Sequence, residues 1–160
     1  MSSRTLSRTH SFSRFILYCA LPLMAAWSGA ACGGDDATEP KCVASLPETC
    51  TPDLDPVFDS LYTSVFSQRC GSTDSGTSCH GKNANPNSNL KLTDATTAYQ
   101  ALLGQHGAAA RVIAGDAHCS PLMERLESDD LTRRMPRQEN KLPEGVRCAI
   151  QQWIEKGAPR

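Results

Sequence analysis

Phe66-Ser67-Gln68-Arg69-Cys70-Gly71-Ser72-Thr73-Asp74-Ser75-Gly76-Thr77-Ser78-Cys79-His80-Gly81 is the stretch on which the reading of this chain turns. It enters on an aromatic residue and leaves on a Cys-His dipeptide. Between the cysteines, residues 71–78 are all small or polar and include two glycines. They predict an exposed loop rather than a regular element. Upstream, Asp55-Pro56 predicts a helix start, with Asp55 as cap and Pro56 at the first turn. Val57, Leu61 and Val65 then fall on one face, with Phe58, Tyr62 and Phe66 beside them. Such a helix delivers Cys70 to its end and offers its aromatics to the tail of the domain. Downstream, residues 81–89 form a second loop, with Pro86 among four asparagines.

A Cys-His pair with a second cysteine upstream carries the chemistry of covalent haem attachment. Two thiols can add to the two vinyl groups of the macrocycle, and the adjacent imidazole is then held under the iron. The usual spacing puts two residues between the cysteines; here eight intervene, and Gly76 stands where the first cysteine would be. Three outcomes stay open. Cys70 and Cys79 both join the haem across a bulged loop, or Cys79 joins alone with Cys70 paired elsewhere, or the two form a disulfide and haem is lost. A metal-bound imidazole needs an acceptor for its far nitrogen. The Pro86 carbonyl is a candidate for that role toward His80, a plain turn proline being the other reading.

The chain after these loops predicts helices separated by long connectors. Leu90-Lys91-Leu92 is a short apolar alternation. Thr93 or Asp94 caps a helix that runs to about Leu103 and stops at Gly104. Residues 111–116 make a turn-bearing connector. Ser120-Pro121 predicts a helix start, with Leu122, Met123 and Leu126 as its buried side. Residues 128–134 are charged and loop-like. Leu142 to Lys156 is the last helix, with Val146, Ile150, Trp153 and Ile154 as its apolar stripe, Leu142 placed to staple onto Val146, and Gly157 at its end. No repeat and no sustained strand pattern occurs, so the expected class is all-α, a small helical domain with long loops.

The N-terminus predicts an export signal over residues 1–31. Arg4, Arg8 and Arg14 form a basic leader, residues 15–27 a short apolar run, and Ser28-Gly29-Ala30-Ala31 a small-residue cleavage region. Cys32 follows directly and reads as a lipidation site, after which residues 33–54 read as a flexible tether, so that 32–54 forms the anchor and 55–160 the domain. The leader holds three of the 16 Lys and Arg and none of the 17 Asp and Glu, leaving the remainder mildly acidic. That balance argues against nucleic acid as a partner. Of eight cysteines, Cys19 lies in the leader and Cys32 at its end, and six remain. An even set in an exported chain predicts disulfides. Cys42 and Cys50 are expected to close a local loop, a metal site there being disfavoured because no histidine lies near in sequence. Cys119 and Cys148 are expected as a second pair, closing a loop of about 30 residues worth a few kcal/mol.

If His80 binds iron, Met135 is the candidate for the opposite side. Its soft thioether favours reduced iron, and Pro136 stiffens the backbone after it. Met123 reads as core filling, and His106 and His118 as solvated loop side chains. With these residues in place the chain resembles the class I cytochrome c fold, in the planctomycete-type variant. The resemblance rests on Pro56-Val57-Phe58, Ser78-Cys79-His80-Gly81, Leu90-Lys91-Leu92, Arg111-Val112-Ile113-Ala114-Gly115-Asp116, Ser120-Pro121-Leu122, Arg134-Met135-Pro136 and Trp153-Ile154-Glu155-Lys156-Gly157-Ala158, and covers about residues 55–158. It implies covalent haem c, His80 as proximal and Met135 as distal iron ligand, Trp153 near the haem edge, and electron transfer rather than enzymatic turnover.

The expected function is therefore a one-electron carrier, exported to a periplasm or cell envelope, lipid-anchored through Cys32 and served by a redox partner protein. The rival is a haem-free, disulfide-stapled binding or surface module of the same fold. A haem enzyme with an open iron site would need Met135 displaced, and no acid–base group is placed for it.

Overall fold

The computed structural model describes residues 42–71, 79–82, 90–107, 109–137 and 139–160. The expected signal peptide, Cys32, tether residues 33–41, loop residues 72–78 and Pro86 lie outside them. Among the described residues no helix is long and apolar enough to cross a membrane. They form a helical domain without strands beyond one isolated bridge, Ile113 to Asp116.

Helix α1 (Phe58–Leu61) continues without a break into a wider-turned segment, Tyr62–Cys70, bonded in the π pattern. The N–H of Gly71 donates to the carbonyl of Phe66, five residues back, at 2.8 Å. Side chains enter the ladder here. Thr63 Oγ1 donates to the Asp59 carbonyl, and both Ser67 Oγ and Gln68 Nε2 donate to the Thr63 carbonyl. Such back-bonding opens a helix. The wider turn keeps Leu61, Val65 and Phe66 on the buried side with Phe58. Two expectations are corrected. Asp55 does not cap this helix: extended Val57 flanks it, without a side-chain cap. Val57 itself lies outside the first turn and is 42% exposed.

Helix α2 (Ala95–Leu102) starts as expected, with Asp94 accepting the N–H of Thr97 at 2.9 Å. Gly104, at φ +71°, turns the chain out of it. Helix α3 (Pro121–Glu127) begins at the expected Ser-Pro. The Ser120 hydroxyl does not cap it. That hydroxyl is fully buried, donates to the Asp116 carbonyl at 2.7 Å and accepts the N–H of Ile113 at 2.8 Å, so it closes the 113–116 turn instead.

Helix α4 (Glu144–Glu155) carries the apolar stripe. Ile150, Trp153 and Ile154 are completely buried, whereas Val146 is half-buried. The helix ends in a Schellman turn: Ala158 N–H donates to the Trp153 carbonyl and Gly157 N–H to the Ile154 carbonyl, both at 2.9 Å. Gly157 supplies the φ of +91° that this turn requires. Trp153 is the centre of the core. Its ring lies 5.7 Å from Phe58 and 6.4 Å from Phe66, and Phe58 meets Tyr99 edge-on at 4.9 Å. Its indole N–H donates to the Pro159 carbonyl at 2.7 Å, and Tyr99 donates to the Ala158 carbonyl at 3.0 Å. Trp153 thus packs from α4 against the aromatic residues of α1 and the segment that follows it.

The disulfides cross the expected pairing. Cys42 joins Cys119 and Cys50 joins Cys148, over 77 and 98 residues. Residues 42–54, expected as tether, are thereby bound to the domain. Val43 N–H donates to the His118 carbonyl at 2.8 Å, Asp53 N–H to Gly145 at 3.1 Å, and Gln151 Nε2 to Pro47 at 3.1 Å. Val43, Leu46 and Leu54 pack on the core.

Replacing Trp153 with alanine removes the ring shared by α1 and α4. It is expected to cost about 3–5 kcal/mol, read as a fall in the denaturant midpoint without a change in slope.

Candidate functional site

Three segments meet at His80. Its backbone N–H donates to the Cys70 carbonyl at 3.1 Å, and its carbonyl accepts the N–H of Leu92 at 2.8 Å. Its imidazole Nδ1 lies 3.2 Å from the Leu90 carbonyl. The widened end of the first helix, the Cys79-His80 dipeptide and the Leu90-Lys91-Leu92 alternation are therefore fastened to one another. Leu90 and Leu92 are buried with Lys91 turned out, so the alternation anchors the clamp in the core. Gly71 is required at the crossing. A Cβ there would stand 2.4 Å from the Leu92 carbonyl oxygen.

The clamp fixes what the imidazole can do. A carbonyl only accepts, so the facing Nδ1 carries the proton, and Nε2 is left with its lone pair. Burial holds the ring's pKa below its ordinary value of 6.5, the Leu90 hydrogen bond opposes that, and the Arg111 charge adds to it. A neutral imidazole with its donor nitrogen directed away from a fixed acceptor is the state that ligates a metal. The acceptor is Leu90. Pro86, expected in that role, lies outside the described residues.

Cys70 and Cys79 flank this point. Burial pushes the Cys70 thiol up to about 11, with Arg69 pulling the other way and Cys79 and Glu139 adding to the rise. Cys79 is exposed and Cys70 half-buried. Cys42, Cys50, Cys119 and Cys148 are bonded to one another, so none of these four is a partner for Cys70.

Met135 sits on a segment held by its own backbone and by charge. Its N–H donates to the Arg125 carbonyl at 2.9 Å, and its peptide bond to Pro136 is cis. Before it, Asp130 accepts from the backbone and hydroxyl of Thr132 at 2.8 and 2.7 Å, and its carbonyl accepts from Arg133 and Arg134. Residues 128–134 are thus a closed turn. Glu124 pairs with Arg133 at 2.6 Å, Glu127 with Arg147 at 2.7 Å and Asp129 with Lys141 at 2.8 Å. Met135 is half-buried against the core. Beyond it, Glu139 reaches Arg69 at 3.7 Å, linking this segment to the residue before Cys70. Met123 is fully buried, the place of a core filler.

Two features escaped the sequence. The Nε of Arg134, next to Met135, is buried without a hydrogen-bond partner among the described residues. His118 is exposed, and its Nδ1 lies 3.9 Å from Cys119 Sγ, beside the disulfide that Cys119 makes with Cys42. His118 reaches Cys42 from 76 residues later in the chain, where no sequence neighbourhood could show it.

Residues 77–139 match the family model described as Planctomycete cytochrome C. The match supports a planctomycete-type cytochrome c domain. It spans Cys79, His80, the 111–116 turn and Met135, and begins after Cys70. Comparison with curated proteins and with solved structures found no match.

Haem c asks a chain for an imidazole presenting one free nitrogen, thiols beside it, a donor for the other iron face and cationic groups for its propionates. His80, Cys79 with Cys70, Met135 and the orphaned Arg134 nitrogen are groups of those chemical types.

Gly71→Ala is expected to open the clamp and to cost about 1–3 kcal/mol. Nitrogen NMR of His80 then shows mixed tautomers in place of a single Nδ1–H form. In the haem-free protein the depressed His80 pKa means that the folded state binds its proton less tightly than the unfolded chain. Stability from this residue is full above about 6.5 and falls as the pH drops below that value. His80→Gln should flatten that limb of a denaturation-versus-pH curve.

Proposed function

We propose that this domain binds haem c covalently and passes single electrons without bond chemistry of its own. The observation that carries the reading is the His80 Nδ1 set 3.2 Å from the Leu90 carbonyl, which leaves Nε2 as the lone-pair nitrogen. When bound, haem supplies a one-electron iron couple, tuned by its axial donors and surroundings. His80 Nε2 would hold one face of the iron and the Met135 sulfur the other. Leu90 fixes the plane of the imidazole, and the Arg125 carbonyl fixes the backbone behind the sulfur. Cys79, exposed beside His80, would carry one thioether. Cys70, drawn to His80 by the 3.1 Å bond, would carry the second. A propionate would satisfy Arg134 Nε.

Location follows from the same chemistry. Covalent haem attachment and two disulfides both belong to an oxidising compartment, which supports an exported, periplasmic or cell-envelope protein. A lipid at Cys32 would hold it to a membrane surface, and its partner would be another redox protein. The second reading is a haem-free, disulfide-stapled module. Gly76 in the place of the usual first cysteine favours it, as does a core whose Trp153 and Tyr99 polar atoms already bond to the chain's own carbonyls.

Protein made together with haem-maturation machinery is expected to show a Soret band and sharp reduced bands, and to stain for haem on a denaturing gel. Cys79→Ala weakens the stain, and Cys79→Ala combined with Cys70→Ala abolishes it. Met135→Ala lowers the reduction potential and removes the sulfur-to-iron charge-transfer band. A colourless, folded product with every thiol oxidised would establish the second reading.

A further inference from the structure

We propose that Cys42–Cys119 is a thiol–disulfide exchange site, opened by a dithiol protein of the oxidoreductase class, while Cys50–Cys148 is a permanent staple. The two disulfides differ in the ways that govern exchange. Cys42 is exposed and Cys119 half-buried. Cys50 is half-buried like Cys119, but Cys148 is only 2% exposed on α4, and Gln152 Nε2 lies 3.5 Å from Cys148 Sγ and 3.3 Å from the Cys50 carbonyl. An attacking thiolate must approach along the sulfur–sulfur axis, so access selects the first bridge.

The neighbours of the first bridge assign the direction of attack. Cys42 is the more exposed residue of the pair, so the attack is assigned to its Sγ. A thiolate of the incoming dithiol bonds to it, the Cys42–Cys119 bond breaks, and its electron pair leaves on Cys119 Sγ. His118 Nδ1, 3.9 Å from that sulfur, is placed to deliver a proton to the departing thiolate. A good leaving group speeds exchange. The second thiol of the dithiol protein then attacks its own sulfur in the mixed disulfide and releases Cys42. Two electrons and two protons have moved from the dithiol to the bridge, leaving two thiols here and one disulfide there. The Cys119 N–H stays fastened to Asp116 Oδ1 at 2.9 Å, so the leaving sulfur remains close to where the bond re-forms.

Opening removes one covalent tie of the 42–54 segment and leaves Cys50–Cys148, the Val43 bond to the His118 carbonyl and the Pro47 bond to Gln151 in place. This inference does not depend on haem.

The test uses the folded full-length protein, reduced thioredoxin as the dithiol, rapid alkylation and peptide mass analysis. Cys42 and Cys119 are expected to be labelled at least about tenfold faster than Cys50 and Cys148. A thioredoxin whose resolving cysteine is replaced by serine is expected to be trapped on Cys42. His118→Ala slows opening several-fold, and free imidazole in the buffer restores it. Reduction of both bridges at one rate, trapping on Cys119, or an unchanged rate in His118→Ala overturns the proposal. The spectrum of the same samples reports the haem reading separately.

Discussion

Trp153 is the constraint from which the rest of this domain follows. A buried indole must hide a large ring and still satisfy one N–H. Here the ring lies against Phe58 and Phe66, and the N–H is bonded to the Pro159 carbonyl just past the helix end. That second bond requires the chain to double back, which the Schellman turn at Gly157 provides. The returning Ala158 carbonyl in turn receives Tyr99 from α2. One side chain therefore fixes the crossing of α1 with α4, the exit of α4 and the seat of α2. Because α1 runs straight into the segment that ends at Cys70, the crossing also fixes where the candidate site begins.

From that point the site depends on hydrogen bonds rather than on loop length. Eight residues between Cys70 and Cys79 in place of two is two doublings of the loop, a closure cost of about 0.6 kcal/mol each. The base is closed by the Cys70–His80 and His80–Leu92 backbone bonds, and Leu92 is anchored in the core. Contributions on the order of 1 kcal/mol per bond offset the longer loop. An expanded spacing therefore leaves the Cys-His dipeptide presented beside Cys70, and Gly71 is the residue that lets the strands of the clamp approach this closely.

Local signals in this sequence were legible because their physics is local. Asp94 caps α2, Gly104 and Gly157 turn the chain out with positive φ, and Leu90 and Leu92 alternate inward around Lys91. The Cys79-His80 pair stood out from its neighbours alone, and the fold ties it to Cys70, Leu90 and Leu92. What could not be read depends on distant partners. Neighbouring cysteines suggested Cys42 with Cys50, but a disulfide needs Cβ atoms a few ångströms apart, and only the fold places 119 and 148 against the N-terminal segment. Residues 42–54 have a linker's composition, yet five of their ties are to residues beyond 117. Ser120 carries the sequence of a cap, and its hydroxyl is instead captured by the buried 113–116 turn. Widened bonding after Leu61 arises from Thr63, Ser67 and Gln68 folding onto carbonyls, which no hydrophobic period records.

Stabilisation and chemistry occupy different residues. The staples and the 42–54 segment bear on positions 118, 119, 145, 148, 151 and 152. The site draws on 69–71, 79–80, 90–92 and the 134–139 segment. A cross-link acts mainly by restricting the unfolded chain, and loops of this length give an effect on the order of 4 kcal/mol, less than additive when they overlap. Such cross-links support a small, loop-rich core. The imidazole is held by the chain's own bonds, its orientation set by the Leu90 carbonyl. A group held in its working orientation beforehand loses less freedom on binding. The disulfide-stapled shell and the electron-carrier reading are consistent: the staples and the site occupy different residues.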